Sequence, residues 1–399
     1  RLNLSGEQVY PIDGLDFPDE ETLAVLDTAA LTTETAAFKL FLLSARRARP
    51  DFELAVDDLS YLGQICRLVQ GMPLGIELAA AWVSLLSPAD IVAEIRQSFD
   101  FLETDARDVP ERHRSLRAVF DTSWHNLTEA EQVVFARLSV FQGGFTRQAG
   151  QKICDASLRD LSTLASKSFL HYNPLCDRYQ FHELLSQYGG DKLAERIAEI
   201  SAVKDRHSHY YLNGLHQRET ALKGTGQHTA LAEIEADIEN VWAAWQWALA
   251  RGDLEHLKPA MDSLGYFYKW QGRYQEGLIA YRLVVEALAE IATPDPQQIL
   301  VAAKAMAWHS VFDRLLGQNE SAGELLRQSL ALLHSPVLGD QDIRLEQAFT
   351  LLQMGHLVLP SNLDEALSWY DHSLALYQTL PDPWGAAQAL AEPAAAQVG

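Results

Sequence analysis

From Thr33 onward, apolar residues return at the three- and four-residue spacing of helices with one buried face, and with one interruption that rhythm runs to the end of the chain. Ala36, Ala37, Leu40, Phe41 and Ser44 make the first stripe, and Arg46, Arg47 and Arg49 follow where cations suit a helix C-terminus. The stretch from Asp57 to Gln70 predicts a second helix burying Leu59, Leu62, Ile65, Cys66 and Val69. Gly71 suits a left-handed helix end, and Pro73 suits the first turn of the next helix, where its missing N–H costs nothing. Ser87-Pro88-Ala89-Asp90 has the form of a capping box opening a fourth helix through Ile91 and Ile95. These helices predict a small helical domain over residues 28–105, in which Glu77 reads as a structural hydrogen-bonding residue. Residues 1–27 carry a short strand candidate, Gln8-Val9-Tyr10, before prolines and acidic residues that break any regular pattern.

An acidic connector from Glu103 to Pro110 leads into a helix with Leu116, Val119, Phe120 and Trp124. Thr128 and Glu131 cap another carrying Val133, Val134, Phe135, Leu138 and Phe141, and Gly143-Gly144 ends it. Thr146 and Ser157 open two more. The apolar period then changes from 3.6 to 2: Phe169 to Tyr172 and Arg178 to Phe181 are strand-like runs around a turn-rich loop. Helices followed by a hairpin predict a winged-helix domain over residues 106–195. Residues 196–399 are helical throughout. There Trp242, Trp245 and Trp247 read as core ridges of one helix. Gly272 to Leu278, Gly317 to Gly323 and Ser361 to Leu367 are loose copies of one word, with Tyr281, Leu326 and Tyr370 in one column and Leu288, Leu333 and Tyr377 in another. Trp384 opens a further unit. The fold class is therefore mostly α: a helical domain and a winged-helix domain, followed by an α-solenoid of tetratricopeptide-like helix pairs.

Charge narrows the partners. Against 32 basic side chains stand 54 acidic ones, a formal −22, and the helix before the hairpin offers Arg159 and Lys167 partly balanced by Asp160. Direct nucleic-acid contact, which needs clustered cations, is not expected from this chain. Cys66, Cys154 and Cys176 are too few and too scattered for a disulfide framework or a metal site, which fits free thiols in the cytoplasm. No apolar run reaches membrane-spanning length. Without a methionine or signal pattern before Arg1, the chain reads as a piece of a longer protein. It contains no glycine-rich phosphate loop with its lysine, no H-E-x-x-H and no catalytic dyad, so no catalysis is expected of it. His207 and His209 stand two apart on a helix and point away from each other, so no metal site is expected either.

Two words carry a family resemblance. GMPLGIELAAAWVSLLS, from Gly71, resembles a segment of bacterial STAND-class signalling ATPases, the group related to the NB-ARC proteins, and ERHRSLRAVFDTSWHNLTEAEQVVFARLSVFQGGFT, from Glu111, resembles the opening of their winged-helix domain. A weaker match, from Glu235 to Trp247, lies in the helix that follows in those proteins. The resemblance implies that Pro73 sits against a bound adenine nucleotide. It also implies that His182, at the strand-to-helix corner Tyr179-Gln180-Phe181-His182-Glu183, contacts the β-phosphate of ADP; plant members carry methionine and aspartate where Phe181 and Glu183 stand. A histidine there can donate to a phosphate while an acidic neighbour holds its other nitrogen. The family's phosphate-sensing arginine falls at or just before Arg1. On this reading the chain is the regulatory and sensor part of a switch that closes over ADP, exchangeable for ATP, held mainly by an upstream domain. The repeats would receive a protein or peptide, and activation would bring self-oligomerisation. Two alternatives stay open: a helical-repeat scaffold with no nucleotide role, and part of a transcription regulator whose DNA-binding module lies outside the chain.

Overall fold

A computed structural model describes residues 14–19, 35–104 and 114–396. The strand candidate Gln8-Val9-Tyr10, Arg1 and residues 105–110 of the connector lie outside them. The chain divides into two compact units, residues 1–207 and 208–399.

The first unit opens with α1 (Ala36–Ala48), α2 (Leu59–Leu68), α3 (Pro73–Ala81) and α4 (Pro88–Gln97). All five residues expected on the buried stripe of α2 are buried, and the Ser87 capping box forms with Pro88 in the first turn of α4. The stripe of α1 is rotated from its predicted position: Ala37, Phe38, Phe41, Ser44 and Ala45 are buried, whereas Ala36 is exposed. Turning the helix brings both phenylalanines inside, which buries more apolar area than Leu40 would. Glu77 takes a surface position. It lies exposed on α3, because Ile76, Leu78, Ala79 and Ala80 take the interior positions.

Next come α5 (Leu116–His125), α6 (Glu129–Leu138), β1 (Gly144–Phe145), α7 (Arg147–Cys154), α8 (Leu158–Ser166), β2 (His171–Asn173), β3 (Arg178–Gln180) and α9 (Glu183–Ala194). The caps at Thr128, Thr146 and Ser157 are present. Three short antiparallel strands pair in the order β1-β3-β2, with Phe145 opposite Tyr179 and Tyr172 opposite the same residue on the other side. β1 was not predicted: two residues after the left-handed Gly143 (φ 70°) are too few to show a period. β2 starts later than predicted because Phe169 and Leu170 are buried before the strand begins.

Aromatic packing joins these two groups of helices. Phe99, which follows α4, meets Phe120 of α5 at 5.7 Å and Tyr188 of α9 at 6.2 Å between ring centroids. Arg117 lies over the Phe99 ring at 4.8 Å and pairs with both Asp100 and Asp191. The pairs are partly exposed, so their worth is modest. Arg117→Ala is expected to lower the unfolding free energy of this unit by about 1 kcal/mol, read from a denaturant midpoint with unchanged slope. A shift within error would show that the ring cluster alone sets the junction.

The long helix α10 (Ile197–Leu222) continues the chain. The unit boundary falls inside it, after the 195/196 position read from the sequence. Its first turns belong to the first unit because Arg137 pairs with Glu199 at 2.9 Å, Arg206 donates to the Ile153 carbonyl at 2.6 Å, and the His207 ring packs edge-on to Phe141.

The second unit contains the rest of α10, then α11 (Gln227–Arg251), α12 (Leu254–Trp270), α13 (Tyr274–Ala289), α14 (Pro296–Leu315), α15 (Asn319–Leu333), α16 (Arg344–Val358), α17 (Leu363–Tyr377) and α18 (Pro383–Ala396). From α11 onward each helix packs on the next, the arrangement of a helical solenoid. Gly272 and Gly317, the first residues of two copies of the repeat word, end α12 and α14 with φ of 70° and 82°. Tyr281, Leu326 and Tyr370 are all buried. In the second column Leu333 and Tyr377 are buried but Leu288 is only half-buried. Of the three tryptophans on α11 only Trp245 is fully buried, its Nε1 donating to the Ala280 carbonyl at 3.2 Å. Trp242 and Trp247 are half-buried; Trp247, two positions from Trp245, points away from the face that Trp245 buries. No described helix is long and apolar enough to cross a membrane.

Candidate functional site

The corner between α2 and α3 is built by the backbone. Gln70 and Gly71 are both left-handed, with φ of 46° and 68°, and the Gly71 N–H returns to the Cys66 carbonyl at 2.9 Å. Residues 14–16 lie directly on the turn: the Leu15 N–H donates to the Gly71 carbonyl at 2.8 Å, and a Cβ on Gly71 would stand 2.2 Å from the Leu15 carbonyl oxygen. Only glycine satisfies both the sign of φ and this approach. Pro73 then begins α3, exposed at its first position.

His182 is the N-cap of α9. Its Nδ1 accepts the Leu184 N–H at 3.3 Å, so a neutral ring carries its proton on Nε2. The ring also bonds the Val69 main chain, the last residue before the Gly71 turn but one. The expectation that an acidic neighbour would hold the second nitrogen is therefore corrected. A main-chain N–H of α9 does so, because an N-cap side chain naturally faces the free amides of its own first turn.

Pro73 and His182 line one cavity of about 440 Å³, together with Gly14, Gln70, Met72, Val119, Phe120, Ser123, Lys167, Ser168, Phe169 and Leu185. One wall is apolar, from Phe120, Phe169, Val119 and Leu185. Lys167 is the cation among these residues, and it is paired: its Nζ lies 2.8 Å from Glu131 and 3.3 Å from the Asn126 carbonyl. Burial opposes ionisation of Glu131, but the hydrogen bonds from Lys167 and Thr128 outweigh it and hold the carboxyl below its ordinary range. Sequence reasoning assigned no site role to Phe120, Lys167 or Ser168. The left-handed φ of Ser168, 62°, turns the chain there, and nothing in its composition announces that.

Desolvation pushes the His182 pKa down from 6.5 to about 4, against a smaller opposite effect of the Val69 hydrogen bond. Between those values the unfolded chain binds a proton that the folded chain excludes. Stability from this group is therefore complete above about pH 6.5 and declines as the pH falls toward 4. The difference amounts to at most about 3 kcal/mol. Urea midpoints at pH 7 and pH 4.5 are expected to differ less in His182→Asn than in the wild type. Equal differences would mean that the ring is already solvated.

Among the other expected features, Cys66 and Cys154 are buried free thiols, and burial raises the pKa of Cys66 to about 12, far from reactive. His207 and His209 do diverge, as their spacing requires. However, His209 faces Asp253, at 2.9 Å, which the sequence did not connect with it.

No protein-family model matches the chain. It is 31% identical over 295 residues to proteins named "Putative HTH-type transcriptional regulator" in Mycobacterium tuberculosis (strain H37Rv) and Mycobacterium bovis, covering 71% of this chain and 31% of each relative. It is 32% identical over 187 residues to an uncharacterized protein of Mycobacterium tuberculosis (strain H37Rv), covering 44% of this chain and 47% of that one. The chain thus spans about a third of the length of the curated regulators it matches. Among solved structures, a STAND protein with a tetratricopeptide repeat sensor from Pyrococcus horikoshii aligns over 91% of this chain and 50% of its own, with 15% identity and a TM-score of 0.36. A TM-score of that size does not establish a shared overall fold.

Proposed function

We propose that this chain is the regulatory and sensor portion of a nucleotide-dependent signalling switch of the STAND class. Residues 114–195 act as its winged-helix module, closing with the small helical module over ADP that an upstream ATPase domain holds. The observation that carries the reading is the convergence of Pro73 and His182, distant in sequence, on one cavity of about 440 Å³. That volume lies within the range of small-ligand sites. The residues present suit part of a nucleotide. Pro73, Phe120 and Phe169 offer an apolar wall for a base, and the Nε2–H of a neutral His182 offers a donor to a phosphate oxygen in exchange for the Val69 main chain. They do not suit all of it. Lys167 is already paired, so the charge of a diphosphate must be met by cations of the upstream domain. Bound there, the nucleotide would supply contacts that favour the closed arrangement of this unit. This chain itself performs no catalysis.

The solenoid is the sensor in this reading, taking a protein or peptide whose binding favours the open state, with self-association following. Ligands can move such an equilibrium only by binding the two states unequally, and the two sites do so in opposite directions. The test is the nucleotide released when a protein carrying this chain together with the proposed upstream domain is denatured: near one ADP per chain is expected, and none would remove the switch and leave a scaffold.

A second reading is favoured by the names of the relatives: the chain serves a transcription regulator whose DNA-binding module lies elsewhere. The two are compatible, since a switch needs an output. The hairpin-side helix α8 carries Arg159 beside Asp160, too little charge to hold a duplex.

A further inference from the structure

We propose that His209, Asp253 and His256, in the second unit, form a binding site for one divalent transition-metal ion. His209 projects from α10. Asp253 is the N-cap of α12, and His256 follows three residues later, the spacing that puts two side chains on one side of a helical turn. Asp253 Oδ2 lies 2.9 Å from His209 Nε2, and Asp253 Oδ1 lies 2.9 Å from His256 Nδ1. The three candidate ligand atoms all fall within 4.8 Å of one another. The two imidazoles stack at 3.8 Å between centroids with 11° between their planes, so their facing nitrogens stand side by side.

This is more than a cap requires. The carboxylate already accepts the His256 N–H at 3.3 Å, which satisfies the helix end, yet it also holds two imidazole edges. Two ring nitrogens and one carboxylate oxygen are a donor set suited to zinc, cobalt or nickel; calcium and magnesium prefer oxygen alone. A nitrogen–oxygen separation of 2.9 Å, spanned by two bonds of about 2.1 Å, corresponds to a ligand angle near 90°. Three protein ligands leave the ion's remaining positions open. His209, with a side chain 42% exposed, leaves those positions open to water. Entry of the ion replaces the two N–H···O contacts. Each neutral ring moves its proton to its outer nitrogen, and the rings tilt out of their parallel stack. The positive end of the α12 dipole opposes the cation by about 0.3–1 kcal/mol, a small effect beside three ligand bonds. The ion would tie α10 to α12 directly, across the intervening α11, and stiffen the start of the solenoid.

The experiment is a calorimetric titration of the metal-stripped 399-residue chain with Zn2+ alone, with Co2+ absorption as a second readout of imidazole coordination. One saturable equivalent is expected. His256→Gln and Asp253→Asn should each weaken it by about tenfold or more. Asparagine keeps the helix cap, so Asp253→Asn separates loss of a ligand from loss of fold, with the circular dichroism spectrum as the check. No saturable equivalent, or one unchanged in both variants and therefore held by histidines elsewhere, would overturn the assignment. Neither result bears on the cavity around His182, which lies in the other unit.

Discussion

On the proposed reading, in which this chain closes over ADP held by an upstream domain, His182→Ala in a protein carrying both parts is expected to release most of the bound ADP and to raise basal output. A hydrogen bond to a charged group contributes about 1.5–3 kcal/mol, so loss of the Nε2 donor should loosen ADP by roughly ten- to a hundredfold. If the closed state depends on that contact, the same free energy moves the switch toward its open form. Alanine also removes the cap of α9, which costs about 1 kcal/mol by itself. His182→Asn resolves the two effects. Its amide oxygen can still accept the Leu184 N–H, but the shorter side chain lacks the donor that now reaches the Val69 main chain. Nucleotide loss in both variants, with the asparagine protein as stable as the wild type near neutral pH, is the outcome expected. Full ADP retention by His182→Asn would mean that the histidine is only a helix cap.

Gly265→Ala is expected to destabilise the second unit by about 2–4 kcal/mol despite adding a better helix former. In a free helix that substitution would gain up to about 1 kcal/mol. Here Gly265 on α12 lies under the Trp308 indole of α14, and a Cβ would meet that ring at 2.5 Å. The indole cannot easily withdraw. It is buried, its Nε1 donates to Asp262 at 2.9 Å, and Tyr266 and Tyr281 pack against it at 5.0 and 5.8 Å. Overpacking therefore outweighs propensity. For a unit of this size the melting temperature should fall by about 5–12 °C. Trp308→Phe in the same chain should restore part of the loss, because the smaller ring makes room at a cost of its own. An unchanged or higher melting temperature in Gly265→Ala would show that the helices are not in such close contact. The same device recurs at Gly355 of α16, where a Cβ would stand 2.4 Å from the Tyr370 ring of α17.

What could be read before the structure follows from what is local. Helix starts are set by side chains three residues away, so the Ser87, Thr128, Thr146 and Ser157 caps, the Pro73 start and the left-handed glycine end at Gly71 were all visible. The change of period found the two strands of the hairpin, and repetition of one word found the solenoid. The rotation of α1 was not visible, because Phe38 and Leu40 compete for one interior and only the packing of α3 chooses between them.

The two candidate sites divide in the same way. Chain order by itself determined that Gly71 and Pro73 make a corner and that His182 stands where a strand gives way to a helix. It also determined that His207 and His209 point apart. Only the tertiary structure decided that residues 14–16 cover the corner, that Pro73 and His182 share a cavity with Phe120 and Lys167, and that the second nitrogen of His182 is held by the Leu184 amide. Only it brought Asp253 and His256 to His209. The physical reason is the same in each case. Caps, turns and periods are satisfied within a few bonds of the residue that encodes them. Contacts between distant elements depend on which apolar faces find each other when the chain collapses, and no short stretch of sequence contains that information.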